Sequence, residues 1–207
     1  MKRYFITGIG TDVGKTVVSA IVAEALNADY WKPVQAGELD YTDADKVQEW
    51  ISNKRTKIHE SSYALKTPMS PHAAAAIDGI TIDLEQIREP RTPNDLVIEG
   101  AGGLLVPLNE KDTMLDLIKK EYKILVVSRH YLGSINHTLL TLSELKHRGF
   151  EVAGIIFNGN TSKTTEDIIE KQGRVNVIGR VLEETSINSG IIRKYADQFK
   201  PQLDRLK

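Results

Sequence analysis

Residues Gly8-Ile9-Gly10-Thr11-Asp12-Val13-Gly14-Lys15-Thr16 combine glycines, a lysine and a hydroxyl in the order that phosphate chemistry needs. Glycines let backbone N–H groups fold around phosphate oxygens, a lysine neutralises the outer phosphates, and a threonine hydroxyl can ligate the Mg²⁺ that bridges them. The strict form of such a loop has glycine five residues before Gly14, where this chain has Ile9. The first usable glycine is Gly8, which lengthens the loop by one residue. A glycine-rich turn without a ligand has no use for Gly-Lys-Thr at a helix start, so the loop predicts ATP or GTP as the ligand.

Other residues offer chemistry to such a ligand. Lys32, in Lys32-Pro33-Val34-Gln35-Ala36-Gly37, falls at the carboxyl end of a strand beside the loop, where side chains face the ligand crevice. Alone, it reads equally as a solvated edge lysine. Val97-Ile98-Glu99-Gly100-Ala101-Gly102-Gly103 puts a carboxylate at the end of a buried strand and follows it with glycines. Glu99 there can help hold Mg²⁺ directly or through water, and glycines admit another backbone closely; the plainer reading is a hydrogen-bonded structural carboxylate. Asp43 has the composition of a helix N-cap, and Asp45 reads as either a metal ligand or a surface charge. Asp12, inside the loop, tunes it or touches substrate rather than acting as a base, because neighbouring phosphates would repel a free carboxylate. His59, His72, His130, His137 and His147 lack metal-ligand spacing and read as structural or exposed.

These residues must be carried by strand ends. β-rich apolar runs at Tyr4–Thr7, Tyr30–Val34, Leu96–Glu99, Ile124–Ser128, Val152–Phe157 and Val175–Val181 alternate with helical patterns, which predicts about six parallel strands. Leu96-Val97-Ile98 and Ile124-Leu125-Val126-Val127 are continuously apolar, as strands buried on both faces must be. The fold class expected is α/β, a doubly wound, mainly parallel sheet with helices on both faces. The first helix should start near Val13, with Val17, Ala20, Ile21 and Leu26 turned to the core. Another should span Asn136 to Arg148, with Leu139, Leu142 and Leu145 on one face and Gly149 as its stop. Between Gly37 and Pro93 short helical pieces broken by prolines read as an excursion over the strand ends, where ligands of this fold class sit. Lys194 to Lys207 reads as a terminal helix with a polar tail.

Composition narrows the function. The 27 Lys and Arg against 28 Asp and Glu leave no global field to favour nucleic acid or an anionic membrane. The absence of cysteine excludes disulfides, thiolate nucleophiles and cysteine-ligated zinc. Met1-Lys2-Arg3-Tyr4-Phe5-Ile6 lacks a signal-peptide core and no apolar run reaches membrane-spanning length, so the expected location is the cytoplasm. The whole chain, 1–207, reads as one nucleotide-binding domain.

The ordered set Gly8 to Thr16, Lys32-Pro33-Val34, Asp43-Ala44-Asp45, Ser70-Pro71-His72, Glu99-Gly100-Ala101-Gly102-Gly103 and Leu132-Gly133-Ser134-Ile135-Asn136-His137 closely resembles the dethiobiotin synthetases. The resemblance runs from Lys2 to about Gly159. It implies ATP-dependent closure of a cyclic urea from 7,8-diaminononanoate and CO₂, through a carbamate and a carbamic–phosphoric anhydride, in biotin synthesis. It makes Lys15 and Lys32 catalytic, with Mg²⁺ held by Thr16, Asp45 and Glu99. ATP is assigned to Asp12, Val13, Gly14, Lys15, Thr16, Val17, Asp45, Glu99, Gly100, Ala101, Gly102 and Asn158, the last against adenine. Substrate is assigned to Thr11, Ala36, Ser70 and Pro71, and its carboxylate to Gly133, Ser134 and Asn136 of the neighbouring subunit of a homodimer. The last segment also reads simply as a helix start capped by Ser134, and the two roles are compatible because helix N-termini bind carboxylates.

This chain departs from the family pattern at Ala36, where Ser or Thr is common, at Gly159, where Asp often follows the asparagine, and at Gly179 to Glu183, which lacks the usual proline-containing turn. The main rival is a partitioning or positioning ATPase working as a nucleotide-gated dimer. It should carry a second lysine early in the loop, where this chain has Gly10, and an anchoring tail that is absent here. A glutamine-dependent amidotransferase with a related core would need a cysteine nucleophile in a further domain.

Overall fold

The computed structural model describes residues 1–206. Strand and helix alternate as β1 (Arg3–Gly8), α1 (Lys15–Leu26), β2 (Asp29–Trp31), β3 (Val34–Ala36), α2 (Asp43–Trp50), β4 (Ile58–His59), β5 (Tyr63–Leu65), α3 (Pro71–Ile77), β6 (Leu96–Gly103), β7 (Lys123–Arg129), α4 (Ser134–His147), β8 (Val152–Asn158), α5 (Lys163–Gly173), β9 (Val177–Val181) and α6 (Ser189–Asp204). The main sheet has seven strands in the order β4-β2-β6-β1-β7-β8-β9. Every pairing is parallel. β1 therefore lies mid-sheet and delivers the phosphate loop to its carboxyl edge.

Two hydrophobic cores sandwich the sheet, which makes it doubly wound. On one face α1 and α6 contribute Val18, Ile21, Ile192 and Phe199 against Tyr4, Tyr30 and Val97; on the other, α3, α4 and α5 contribute Ala74, Leu145 and Ile169 against Phe5, Ile98 and Ile155. The continuous apolar runs of β6 and β7 are buried on both sides, as expected.

The expected strand Tyr30–Val34 is broken. β2 ends at Trp31, and Val34–Ala36 leaves the main sheet to pair with β5, Val34 opposite Tyr63. Pro33 between them has no N–H to give a ladder. The seventh strand, β4, is a two-residue edge inside the excursion, too short to read from composition. α1 begins at Lys15 rather than near Val13 because Gly14 takes φ 94°, outside helical space. α4 begins at Ser134, with Gly133 at φ 103° in the N-cap place expected of Ser134. Its inner face is Ser134, Thr138, Leu142 and Leu145, while Leu139 is only partly buried. The last helix starts before Lys194, where the Asn188 side chain accepts from Ile191 N at 3.1 Å.

Candidate active site

The loop between β1 and α1 is built around Lys15. Its side chain is buried, and Nζ donates to Gly10 O at 2.9 Å, curling the loop around the ammonium. Burial pushes the Lys15 ammonium down to about 8; attraction to Glu99 offsets part of that cost, and Lys32 adds repulsion. Val13 is buried, and its carbonyl accepts from Asn158 Nδ2 at 2.8 Å, which ties the loop to the end of β8. A Cβ on Gly14 would sit 2.2 Å from that amide nitrogen, so glycine is needed there for space as well as for its φ. Asp12 is exposed, and Arg129 Nη1 holds its carbonyl at 3.1 Å. Thr11 is exposed, and Val17 packs against the core.

Beside the loop, β6 ends in glycines. Gly103 pairs with Gly8, and a Cβ on it would lie 3.6 Å from Gly10, an ordinary van der Waals contact. Gly100 and Ala101 are buried at the same strand end, and Gly102 turns the chain at φ 65°. Glu99, also buried, accepts from Thr16 Oγ1 at 2.9 Å through Oε1 and from Tyr30 Oη at 2.9 Å through Oε2. Lys32 Nζ lies 3.4 Å from Glu99 Oε1 and forms an ion pair with Asp43. Burial alone would lower the Lys32 ammonium, but the charges of Glu99 and Asp43 outweigh it and hold it above the ordinary lysine range. Burial would raise the Asp43 carboxyl, yet Lys32 holds it below the usual carboxylate range.

Asp45 does not join this cluster. Its exposed carboxylate turns back to accept from Thr42 N at 2.8 Å and Thr42 Oγ1 at 2.6 Å, while Thr42 Oγ1 accepts from Asp45 N. This reciprocal cap makes Thr42 the N-cap expected of Asp43, and it frees Asp43 in the first turn to meet Lys32. The pattern Thr42-x-x-Asp45 was the available signal. Tyr30 carried none, because its use depends on β2 lying beside β6.

Among the described residues no group of three or more His, Asp, Glu or Cys could hold a metal by itself. A hydroxyl with two carboxylates, Thr16, Glu99 and Asp43, nevertheless suits Mg²⁺ that brings phosphate oxygens of its own. The histidines have structural partners where partners are seen: His59 with Asp29, His72 with Ser70, His130 with Glu166 and His137 with Tyr131.

The remaining predicted residues lie farther along the strand-end surface. Ala36 is partly exposed at the end of β3, and Pro71 is buried at the start of α3 behind Ser70. His72 N donates to Pro107 O at 3.2 Å, which anchors that segment to the chain leaving β6. Gly133 and Asn136 are exposed at the start of α4, whereas Ser134 is buried.

A parallel doubly wound sheet whose central strand feeds a Gly-Lys-Thr loop, with a buried acid on the adjacent strand, defines a P-loop nucleotide-binding protein. A family model described as an AAA domain matches residues 2–189. The chain is 57% identical over 202 residues to the ATP-dependent dethiobiotin synthetase BioD of Christiangramia forsetii, covering 98% of each. It is 50% identical over 198 residues to that of Cytophaga hutchinsonii, covering 95% of this chain and 96% of the relative. The chain belongs to the ATP-dependent dethiobiotin synthetase family. Among solved structures, the septum site-determining protein MinD from Pyrococcus horikoshii, complexed with Mg-ADP, aligns with TM-score 0.64 at 15% identity, covering 100% of this chain and 96% of that one. The cell division ATPase MinD of Pyrococcus furiosus aligns with TM-score 0.62 at 14% identity over the whole of both chains. At those identities the likeness speaks to the fold alone.

Proposed function

We propose that this chain, working as one synthetase domain, uses ATP and Mg²⁺ to carboxylate 7,8-diaminononanoate with CO₂ and close the ring to dethiobiotin, releasing ADP and phosphate. The observation that carries the reading is the convergence of Lys15, Thr16, Lys32, Asp43 and Glu99 at one strand end.

The chemistry runs through anions. An amine adds to CO₂ and loses a proton to give a carbamate. The carbamate oxygen attacks the γ-phosphorus and expels ADP, and the second amine then attacks the mixed anhydride carbonyl, losing a proton as it expels phosphate. Fixed positive charge is what such steps need. Lys15 neutralises the outer phosphates, and Lys32, released from Asp43, meets the carbamate and the transferring phosphoryl group. Thr16, Glu99 and Asp43 are the residues to hold Mg²⁺, which when bound spreads the charge of the phosphates. No protein nucleophile is required, consistent with a chain that has no cysteine.

Gly133, Ser134 and Asn136 would receive the substrate carboxylate from across a homodimer interface. Leu132 is fully exposed and Tyr131 and Ile135 are partly exposed beside them, an apolar rim suited to cover by a second copy. The near-neutral charge and the lack, among the described residues, of any helix able to cross a membrane support a cytoplasmic enzyme without nucleic-acid or membrane partners. The test is phosphate release with Mg²⁺ and ATP, with and without diaminononanoate and bicarbonate. Release that needs both supports the reading, and release indifferent to the diamine refutes it.

A further inference from the structure

Tyr30 is fully buried on β2, where its hydroxyl donates to Glu99 Oε2 at 2.9 Å. The parallel register sets Tyr30 opposite Val97. Strand alternation therefore puts Tyr30, Val97 and Glu99 on one face, and the long phenol reaches the carboxylate diagonally. The other oxygen, Oε1, faces the loop, taking the Thr16 hydroxyl at 2.9 Å with Lys32 at 3.4 Å.

The two oxygens of Glu99 thus have different neighbours, although nothing in a glutamate decides which faces where: its last torsion is broad and two-fold. A donor locked in the sheet decides it. At 2.9 Å from a buried carboxylate oxygen, the Tyr30 hydroxyl gives its proton to the bond and Oε2 accepts it. We propose that Tyr30 is a positioning residue: its hydroxyl pins Glu99 Oε2 and so presents Oε1, beside Thr16, to the metal of the bound nucleotide. The inference rests on the assignment of Glu99 to that metal. A phenol that merely satisfied a buried carboxylate would matter to thermal stability and not to metal affinity.

The two roles separate in direct binding of Mn²⁺, a paramagnetic stand-in for Mg²⁺, followed by electron paramagnetic resonance at saturating non-hydrolysable ATP analogue. Wild type, Tyr30→Phe, Glu99→Gln and the double variant are compared. Tyr30→Phe is expected to weaken Mn²⁺ binding about ten-fold, the usual loss when a ligand's outer partner is removed. Because Tyr30 acts through Glu99, the double variant should bind no more weakly than Glu99→Gln. If Glu99→Gln binds Mn²⁺ like wild type, the metal role of Glu99 fails and Tyr30 falls with it. If Glu99→Gln weakens binding while Tyr30→Phe does not, or the two losses add, the positioning role alone is overturned. Should Tyr30→Phe not fold, a crystal structure of the wild type with Mg²⁺ and the analogue decides: Oε2 still on the Tyr30 hydroxyl supports the proposal, and Oε2 swung onto the metal side overturns it.

Discussion

Lys32 Nζ pairs with Asp43 while lying 3.4 Å from Glu99 Oε1, so one ammonium bridges the two carboxylates beside the phosphate loop. Removing either partner from such a buried network leaves the other charge exposed to a poor dielectric, which is why these positions should respond sharply to substitution.

Lys32→Gln should lose turnover far more than ATP affinity, because its charge sits with the reacting groups and not at the adenosine end. The expected loss in transition-state stabilisation is on the order of 3 kcal/mol or more, roughly a hundred-fold or greater fall in kcat. Steady-state kinetics beside ATP binding by calorimetry would check it, and near-wild-type turnover would remove Lys32 from the chemistry.

Asp43 and Asp45 should part company. Asp43→Asn is expected to raise the Mg²⁺ concentration for half-maximal activity, since a neutral amide is a poorer ligand for a hard cation. Asp45→Asn should lower Tm through the weakened cap and leave the Mg²⁺ titration where it was. A shifted titration for Asp45→Asn would return that carboxylate to the metal.

Lys15, held near 8 in the folded protein by burial, should make ATP binding take up a proton. Bound phosphates favour the charged lysine, so about half a proton per site is expected to enter near pH 8, and almost none below pH 7. Calorimetry in buffers of different ionisation enthalpy measures the uptake. The folding sign is the reverse of a salt-bridged lysine: between about pH 8 and the ordinary lysine pKa near 10.4 the unfolded chain holds the extra proton, so this group's contribution makes the ligand-free protein more stable as pH rises. Buffer-independent heats at pH 8 would contradict a depressed Lys15.

A site shared between subunits should show complementation. Lys15→Gln and Asn136→Leu, each folded and inactive alone, would on mixing form heterodimers in which one site collects both lesions and the other neither. An equal mixture with free exchange should recover roughly one quarter of wild-type activity. If exchange is verified and activity stays at the level of the separate variants, Asn136 does not serve the site across an interface.

Much of the fold was legible because its signals are local. The Gly-Lys-Thr loop, the continuous apolar runs of β6 and β7, and Gly149 with its φ of 70° after α4 are each specified within a few residues. Misreadings came where two local rules compete. Lys32-Pro33 sits inside an apolar run that looks like one strand, and only the missing proline donor, together with a partner in β5, divides it. Asp43 and Asp45 both look like acids at a helix start, and the choice turned on which one Thr42 would cap.

The amino-acid sequence by itself determined the chemistry on offer: a phosphate-binding loop, a lysine and an acid at strand ends, and no thiol, because residue type and spacing along the chain settle which groups are present and which lie at element ends. Tertiary structure alone decided which of them meet. Glu99 is joined by Thr16, 83 residues away, Tyr30, 69 away, and Lys32, 67 away. Nothing local specifies those pairings. They follow from the strand order β2-β6-β1, fixed by burying two apolar faces under helices, and from a register that aims alternate side chains to one side.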